Sequence, residues 1–140
     1  MNVYLGLDLG SKTCGIALSQ SGFIASDLAT VYFNPDDYDD CLLKLTPFIV
    51  SHKATHIVLG YPKHMNNDVG IRGQISESFK VKLEVAFPDV KIILWDERLS
   101  TSSALKMLSD NKKKRDKQKK LKDQMAAQII LQNYLDYQGR

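Results

Sequence analysis

Only two cysteines, four prolines and a single tryptophan occur in the 140 residues. No apolar run approaches the ~20 residues of a membrane span, which excludes an integral membrane helix. Cys14 and Cys41, one in an expected strand and the other in an expected helix, form no metal-like pair, and nothing points to export, where disulfides form. Met1-Asn2-Val3-Tyr4 has neither a basic leader nor a cleavage pattern. The expectation is therefore a cytoplasmic protein with reduced thiols. His52, His56 and His64 are not spaced as metal ligands either.

What is present is ordinary for a folded chain: 44% hydrophobic and 25% charged residues. The length suits one domain, residues 1–140, and is too short for two. The net charge of +3 hides an asymmetry. Residues 112–122 (KKKRDKQKKLK) hold eight Lys or Arg against one Asp, a local +7, so the remainder carries −4. A basic run on an acidic domain suits a polyanion; the plain alternative is a solvated loop.

Apolar and turn signals predict strands at Val3–Leu9, Thr13–Leu18 and Phe23–Phe33, joined by tight turns at Gly10-Ser11-Lys12 and Ser21-Gly22. A helix opens at Asn34-Pro35-Asp36-Asp37 and runs to His52, with Pro47 expected to kink or divide it near Thr46. Strand Thr55–Leu59, helix Ile71–Phe87 and strand Val90–Trp95 follow. A short helix is expected from Ser100 or Thr101 through Leu108, then a basic loop, then a helix from Leu121 to Tyr137. This order predicts an α/β fold: a five-stranded mixed sheet, three strands antiparallel and then parallel ones, with helices on both faces.

Three acids stand out. Asp8 lies in the apolar strand Leu5-Gly6-Leu7-Asp8-Leu9-Gly10, where a carboxylate is costly unless it is paired or holds a metal. It could also simply cap the Gly10 turn. Glu97 follows a buried strand in Trp95-Asp96-Glu97-Arg98, where it could serve a site or only start the next helix. Asp123 falls at the expected start of the last helix, where an acid suits the helix dipole whatever its function. Ala126 and Ala127 would let that helix approach the sheet and bring Asp123 near Asp8. Converging carboxylates repel unless a divalent cation neutralises them. One or two Mg²⁺ or Mn²⁺ ions are expected rather than Zn²⁺, a site suited to phosphodiester hydrolysis. Lys12, Lys63 and Arg72, in expected turns or loops, are candidates for phosphate contact, together with Arg98, Lys112, Lys113, Lys114 and Arg115.

These motifs, taken in order, resemble the YqgF or RuvX family of the ribonuclease H-like superfamily. The matching stretches are Gly6-Leu7-Asp8-Leu9-Gly10 with Gly15-Ile16-Ala17, Gly60-Tyr61-Pro62, Gly70-Ile71-Arg72, Asp96-Glu97-Arg98-Leu99-Ser100-Thr101, and Asp123 with Ala126-Ala127-Gln128-Ile129-Ile130-Leu131. The resemblance implies a ribonuclease H-like fold, Asp8, Glu97 and Asp123 as catalytic acids, and roles for the Gly60 loop and Arg72. It implies a nuclease that matures the 5′ end of pre-16S rRNA, or one that resolves Holliday junctions. The chain departs from the family pattern at Cys14, at Asn66-Asn67-Asp68, at Ile71 before Arg72 and at Lys122 before Asp123. A monomer acting on RNA is favoured, because two symmetric cuts in a junction would need a dimer. Two other readings stay open. Asp8-Leu9-Gly10-Ser11-Lys12 with Gly15-Ile16-Ala17 also resembles the phosphate motif of actin-like and sugar-kinase ATPases. The chain could also be a catalytically silent RNA-binding module.

Overall fold

Alternation along the first strand divides the molecule into two cores. A computed structural model describes residues 1–62, 70–97 and 115–139, and side chains throughout these except at 115–124. In β1 (Tyr4–Leu9) the odd residues Leu5 and Leu7 are fully buried on one face, while Gly6 and Asp8 face the other. β1 pairs antiparallel with β2 (Thr13–Ser19), and β2 with β3 (Ser26–Tyr32). The first turn closes with Gly10 N–H donating to the Thr13 carbonyl at 2.7 Å. The second passes through Gly22, whose φ of +80° suits a residue without Cβ.

Helix α1 (Tyr38–Ser51) carries the chain over to β4 (His56–Tyr61), and α2 (Ile71–Ala86) to β5 (Lys91–Asp96). β4 lies parallel to β1, and β5 parallel to β4, so the sheet order is β3-β2-β1-β4-β5. Buried on both faces, β4 reads as the unbroken apolar run Ile57-Val58-Leu59. The last helix, α3 (Arg115–Gln138), crosses the opposite face. One core packs Leu5, Leu7, Ile16 and Leu59 against Cys41 and Leu45 of α1 and Phe79 and Leu83 of α2. The other packs Ala17, Val58 and Trp95 against Ala127, Ile130, Leu131 and Tyr134 of α3. The expected five-stranded mixed sheet with helices on both faces is the observed one. Among the described residues, no helix is long and apolar enough to cross a membrane.

Three expectations are corrected. Of the two effects expected of Pro47, a kink or a division, division does not occur, for α1 runs unbroken from its Asp37 cap. Proline withdraws the N–H that would bond the Leu43 carbonyl, but Leu43 and Pro47 both lie on the exposed side, where water can replace it. Phe23-Ile24-Ala25 do not begin β3. Their backbone is held instead by α3: Gln132 accepts from Ala25 N–H at 2.8 Å and donates to the Phe23 carbonyl at 2.8 Å, and Gln128 donates to the Ala25 carbonyl at 3.1 Å. Finally, α3 begins at Arg115, not Leu121, so much of the basic run is helix rather than loop. Lys, Arg and Gln are good helix formers, and no Gly or Pro interrupts residues 115–138. The short helix expected to reach Leu108 lies outside the described residues.

Candidate active site

The carboxyl ends of the parallel strands β1, β4 and β5 meet at one edge of the sheet, on the face that α3 covers. Crevices at such strand ends are where open α/β sheets bind ligands. Asp8 stands at the end of β1 opposite Gly15 of β2. A Cβ built on Gly15 would lie 3.8 Å from the Asp8 Cβ and 3.5 Å from the Ala127 Cβ, so strand, strand and helix converge beside this carboxylate. The convergence depends on Gly6. A Cβ there would come within 2.6 Å of the Leu131 Cβ and 2.9 Å of the Ala127 carbonyl oxygen, so α3 lies directly on the β1 backbone.

Glu97 immediately follows β5 and shares the α3 face with Trp95. Its carboxyl lies over Gly60 of β4: a Cβ at Gly60 would be 3.3 Å from its Cδ, 3.4 Å from its Oε2 and 2.8 Å from the Ile130 Cδ1. The buried Ser76 hydroxyl of α2 donates to the Gly60 carbonyl at 3.2 Å and fixes this floor. Burial pushes the Glu97 carboxyl up to about 7, helped by the charge of Asp8 and then that of Asp96. Asp96 is one residue out of phase and belongs to the other face, paired across the ladder with Tyr61. The Tyr61 hydroxyl donates to Glu77. That bond, followed by burial and the charges of Glu77 and Asp96, pushes the pKa of the Tyr61 hydroxyl up.

Asp8 and Glu97 are thus brought together. Asp123 sits on α3 one turn before Ala127, on the same side of the helix by its period, and its side chain lies outside the described ones. Its helix begins eight residues earlier, so it is not the N-terminal helix acid that its sequence position suggested. Among the described residues, no three His, Cys, Asp or Glu side chains cluster as a metal site.

Of the basic candidates, Lys12 and Arg72 are described with their side chains, and both lie beside the Asp8 end of β1. Lys12 is exposed in the β1–β2 turn, at the same sheet edge as Asp8. That turn is tied down through its carbonyls, by Asp36 N–H at 2.7 Å to Ser11 and Phe33 N–H at 2.9 Å to Lys12. Arg72 is the second residue of α2, and its Nη2 donates to the Leu9 carbonyl at 2.9 Å. Its Nη1 reaches the Tyr38 hydroxyl at 3.4 Å. Arg72 therefore grips the residue next to Asp8. Arg115 is the first residue of α3; Lys63, Arg98, Lys112, Lys113 and Lys114 lie outside the described residues.

His56 stacks on Tyr4 with centroids 4.7 Å apart at the opposite end of the sheet, and His52 Nδ1 bonds the Phe48 carbonyl of its own helix at 2.9 Å. Sequence reasoning missed one contact: the buried thiols of Cys14 and Cys41 meet beneath β2, where their hydrogen bond and burial push Cys14 well up. Residues so far apart in the chain carry no pairing signal.

The family model described as "RuvX: Holliday junction resolvase" matches residues 2–137. The chain belongs to the RuvX family. A relative from Onion yellows phytoplasma (strain OY-M), named "Putative pre-16S rRNA nuclease", is 57% identical over 97% of this chain and 90% of its own length. One of the same name from Staphylococcus aureus (strain N315) is 44% identical over 94% of each chain. Among solved structures, Thermus thermophilus RuvC in complex with a Holliday junction substrate aligns with a TM-score of 0.62 at 10% identity, covering 98% of this chain and 94% of its own. The yeast mitochondrial Holliday junction resolvase Ydc2 aligns at 0.58 and 15% identity, covering 97% and 78%. At such identities the likeness establishes the fold, which is ribonuclease H-like. Membership of the RuvX family makes this chain a nuclease, a hydrolase of phosphodiester bonds acting on nucleic acid.

Proposed function

We propose that this RuvX-family nuclease is divalent-metal-dependent, with Asp8, Glu97 and Asp123 as its metal-holding catalytic acids, and that its substrate is the 5′ end of pre-16S rRNA. The observation that carries the reading is the meeting of Asp8 and Glu97 at the strand ends, with the Glu97 carboxyl pushed up to about 7. Two carboxylates that oppose each other's ionisation in a partly dry crevice suit a hard cation. Carboxylate oxygens select Mg²⁺ or Mn²⁺ over softer metals.

When bound, the cation supplies Lewis acidity at the phosphate and neutralises the carboxylates. The chain's own residues do the rest. Asp8 and Glu97 would hold the cation at the strand ends and orient an attacking water, whose one proton would pass to one of the two carboxylates. Gly60 leaves the Glu97 carboxyl room over the sheet, and the Ser76 hydroxyl keeps that strand end from shifting. Arg72 holds the Leu9 carbonyl and thereby steadies the Asp8 end of β1. The basic residues from Lys112 to Lys122 run into α3 directly ahead of Asp123, so a phosphate backbone attracted there is led towards the carboxylates.

The RNA substrate is supported by the names of relatives at 44–57% identity. The family description and the junction-bound RuvC likeness favour a second reading, resolution of four-way DNA. One experiment separates them. Labelled pre-16S 5′-leader RNA and a four-way DNA junction are incubated side by side with Mg²⁺ or Mn²⁺, using wild type and Asp8→Asn. Cutting of the RNA alone, lost in the variant, is expected. Symmetric cutting of the junction, lost in the variant, establishes the resolvase instead. Cutting of either that survives Asp8→Asn overturns the carboxylate site.

A further inference from the structure

The sheet face that carries Glu97 also carries an aromatic group that the carboxylate chemistry does not use. Trp95 precedes Glu97 by two residues and projects from the same face, about 7 Å away along the strand. Two tyrosines of α3 pack on its indole: Tyr134 edge-on with centroids 5.6 Å apart, and Tyr137 tilted at 5.4 Å. Tyr134 is 7% exposed and belongs to the core, but Tyr137 is 56% exposed and offers its ring to solvent. The Trp95 indole N–H is buried and has no hydrogen-bond partner among the described residues. A tryptophan placed for packing alone usually finds its N–H an acceptor, because an unpaired buried donor is costly.

We propose that Tyr137, seated on the buried Trp95 indole, forms a stacking site for one nucleobase of single-stranded RNA that runs from the cut bond along α3. The inference rests on the reading of this chain as acting on RNA. A nucleobase offers a flat π-face for the exposed Tyr137 ring and, once that ring shifts aside, carbonyl or ring-nitrogen acceptors for the indole N–H, which has no partner among the described residues. Stacking on aromatic rings is a sequence-tolerant way to hold unpaired bases, whereas double helices hide their base faces. The site therefore selects unpaired strand rather than particular letters. Tyr137 lies in the last turn of α3, where helix ends loosen readily, so its ring can adjust to a base without disturbing Tyr134.

Trp95 is the only tryptophan of the chain, so intrinsic fluorescence reports on this place alone. The Asp8→Asn chain is titrated with short single-stranded oligoadenylate, and binding is followed independently by the anisotropy of an end label. Indole emission is expected to fall in step with the anisotropy. An abasic ribose-phosphate oligomer of equal length is expected to bind without changing the emission. Tyr137→Ala is expected to weaken oligoadenylate binding about tenfold, with Tyr137→Phe retaining it. Normal anisotropy with unmoved emission, together with wild-type affinity in Tyr137→Ala, overturns the stacking site while leaving RNA binding intact. Absence of any anisotropy change overturns the RNA reading itself, and this site with it.

Discussion

Replacing Glu97 by Gln isolates the electrostatic cost built into the carboxylate pair. In the folded chain the carboxyl is pushed from 4.5 to about 7 by burial and by Asp8 and Asp96, so the folded state holds a proton that the unfolded state has already released. Between pH 4.5 and 7 the unfolded chain binds fewer protons, and apo stability therefore falls as pH rises through that window. At 1.36 kcal/mol per pH unit the whole shift would be worth about 3 kcal/mol. Solvent reaches part of the carboxyl, and screening reduces this to about 1–2 kcal/mol. For a chain of this size that is about 3–6 °C in Tm. The assay is thermal unfolding in EDTA at pH 5 and pH 8. Wild type is expected to lose about 3–6 °C more than Glu97→Gln between the two pH values. Saturating Mg²⁺ or Mn²⁺ should abolish the difference, because a bound cation favours the ionised carboxylate. Equal pH slopes for wild type and Glu97→Gln in EDTA would refute the reasoning, since ionisation at position 97 would then cost the fold nothing.

Three further outcomes are expected. Gly60→Ala would drive a methyl to 2.8 Å from the Ile130 Cδ1 and 3.3 Å from the Glu97 Cδ. It should cost about 1–3 kcal/mol in urea unfolding and reduce kcat more than it changes RNA affinity. Arg72→Ala should destabilise by about 1.5–3 kcal/mol through loss of the charged bond to the Leu9 carbonyl; Arg72→Lys should recover only part, because a single ammonium cannot also reach Tyr38. Neutralising Lys112, Lys113, Lys114 and Arg115 together should weaken nucleic-acid binding and flatten the salt dependence of its affinity, read as the slope of log K against log salt.

Much of this architecture is legible in the residues. The odd–even alternation of Leu5, Gly6, Leu7 and Asp8 announces a strand with a core face and a special face, and the structure divides its cores along that line. Gly60 reads in the sequence as the end of the run Ile57-Val58-Leu59, with a role implied only by the family resemblance, and in the structure Ile130 and the Glu97 carboxyl lie over it. Elsewhere local signals point the wrong way. Apolar periodicity begins only at Leu121, so it misses the first two turns of α3, which intrinsic helix propensity supplies. Its place at the head of that stripe gives Asp123 the look of a helix-start acid, a reading that vanishes once Arg115 is the first residue. The apolar Phe23 and Ile24 look like strand, but amides more than a hundred residues away claim their backbone. No local pattern encodes a contact of that span, nor the meeting of Cys14 with Cys41.

The separation of the two cores has a consequence for how the enzyme fails. The core shared with α1 and α2 seals one side of the sheet, while among the described residues the smaller one is closed by α3 and by Ala25 ahead of β3. α3 can therefore lift as a cooperative unit of its own, at a lower free energy than global unfolding. Such an opening bares Gly6 and Gly15 and, on the role proposed for Asp123, withdraws that acid from the site, yet leaves the five-stranded ladder paired. Inactivation and unfolding then become two separate transitions: on gentle heating or in mild denaturant, catalysis disappears first, from molecules whose sheet is still whole.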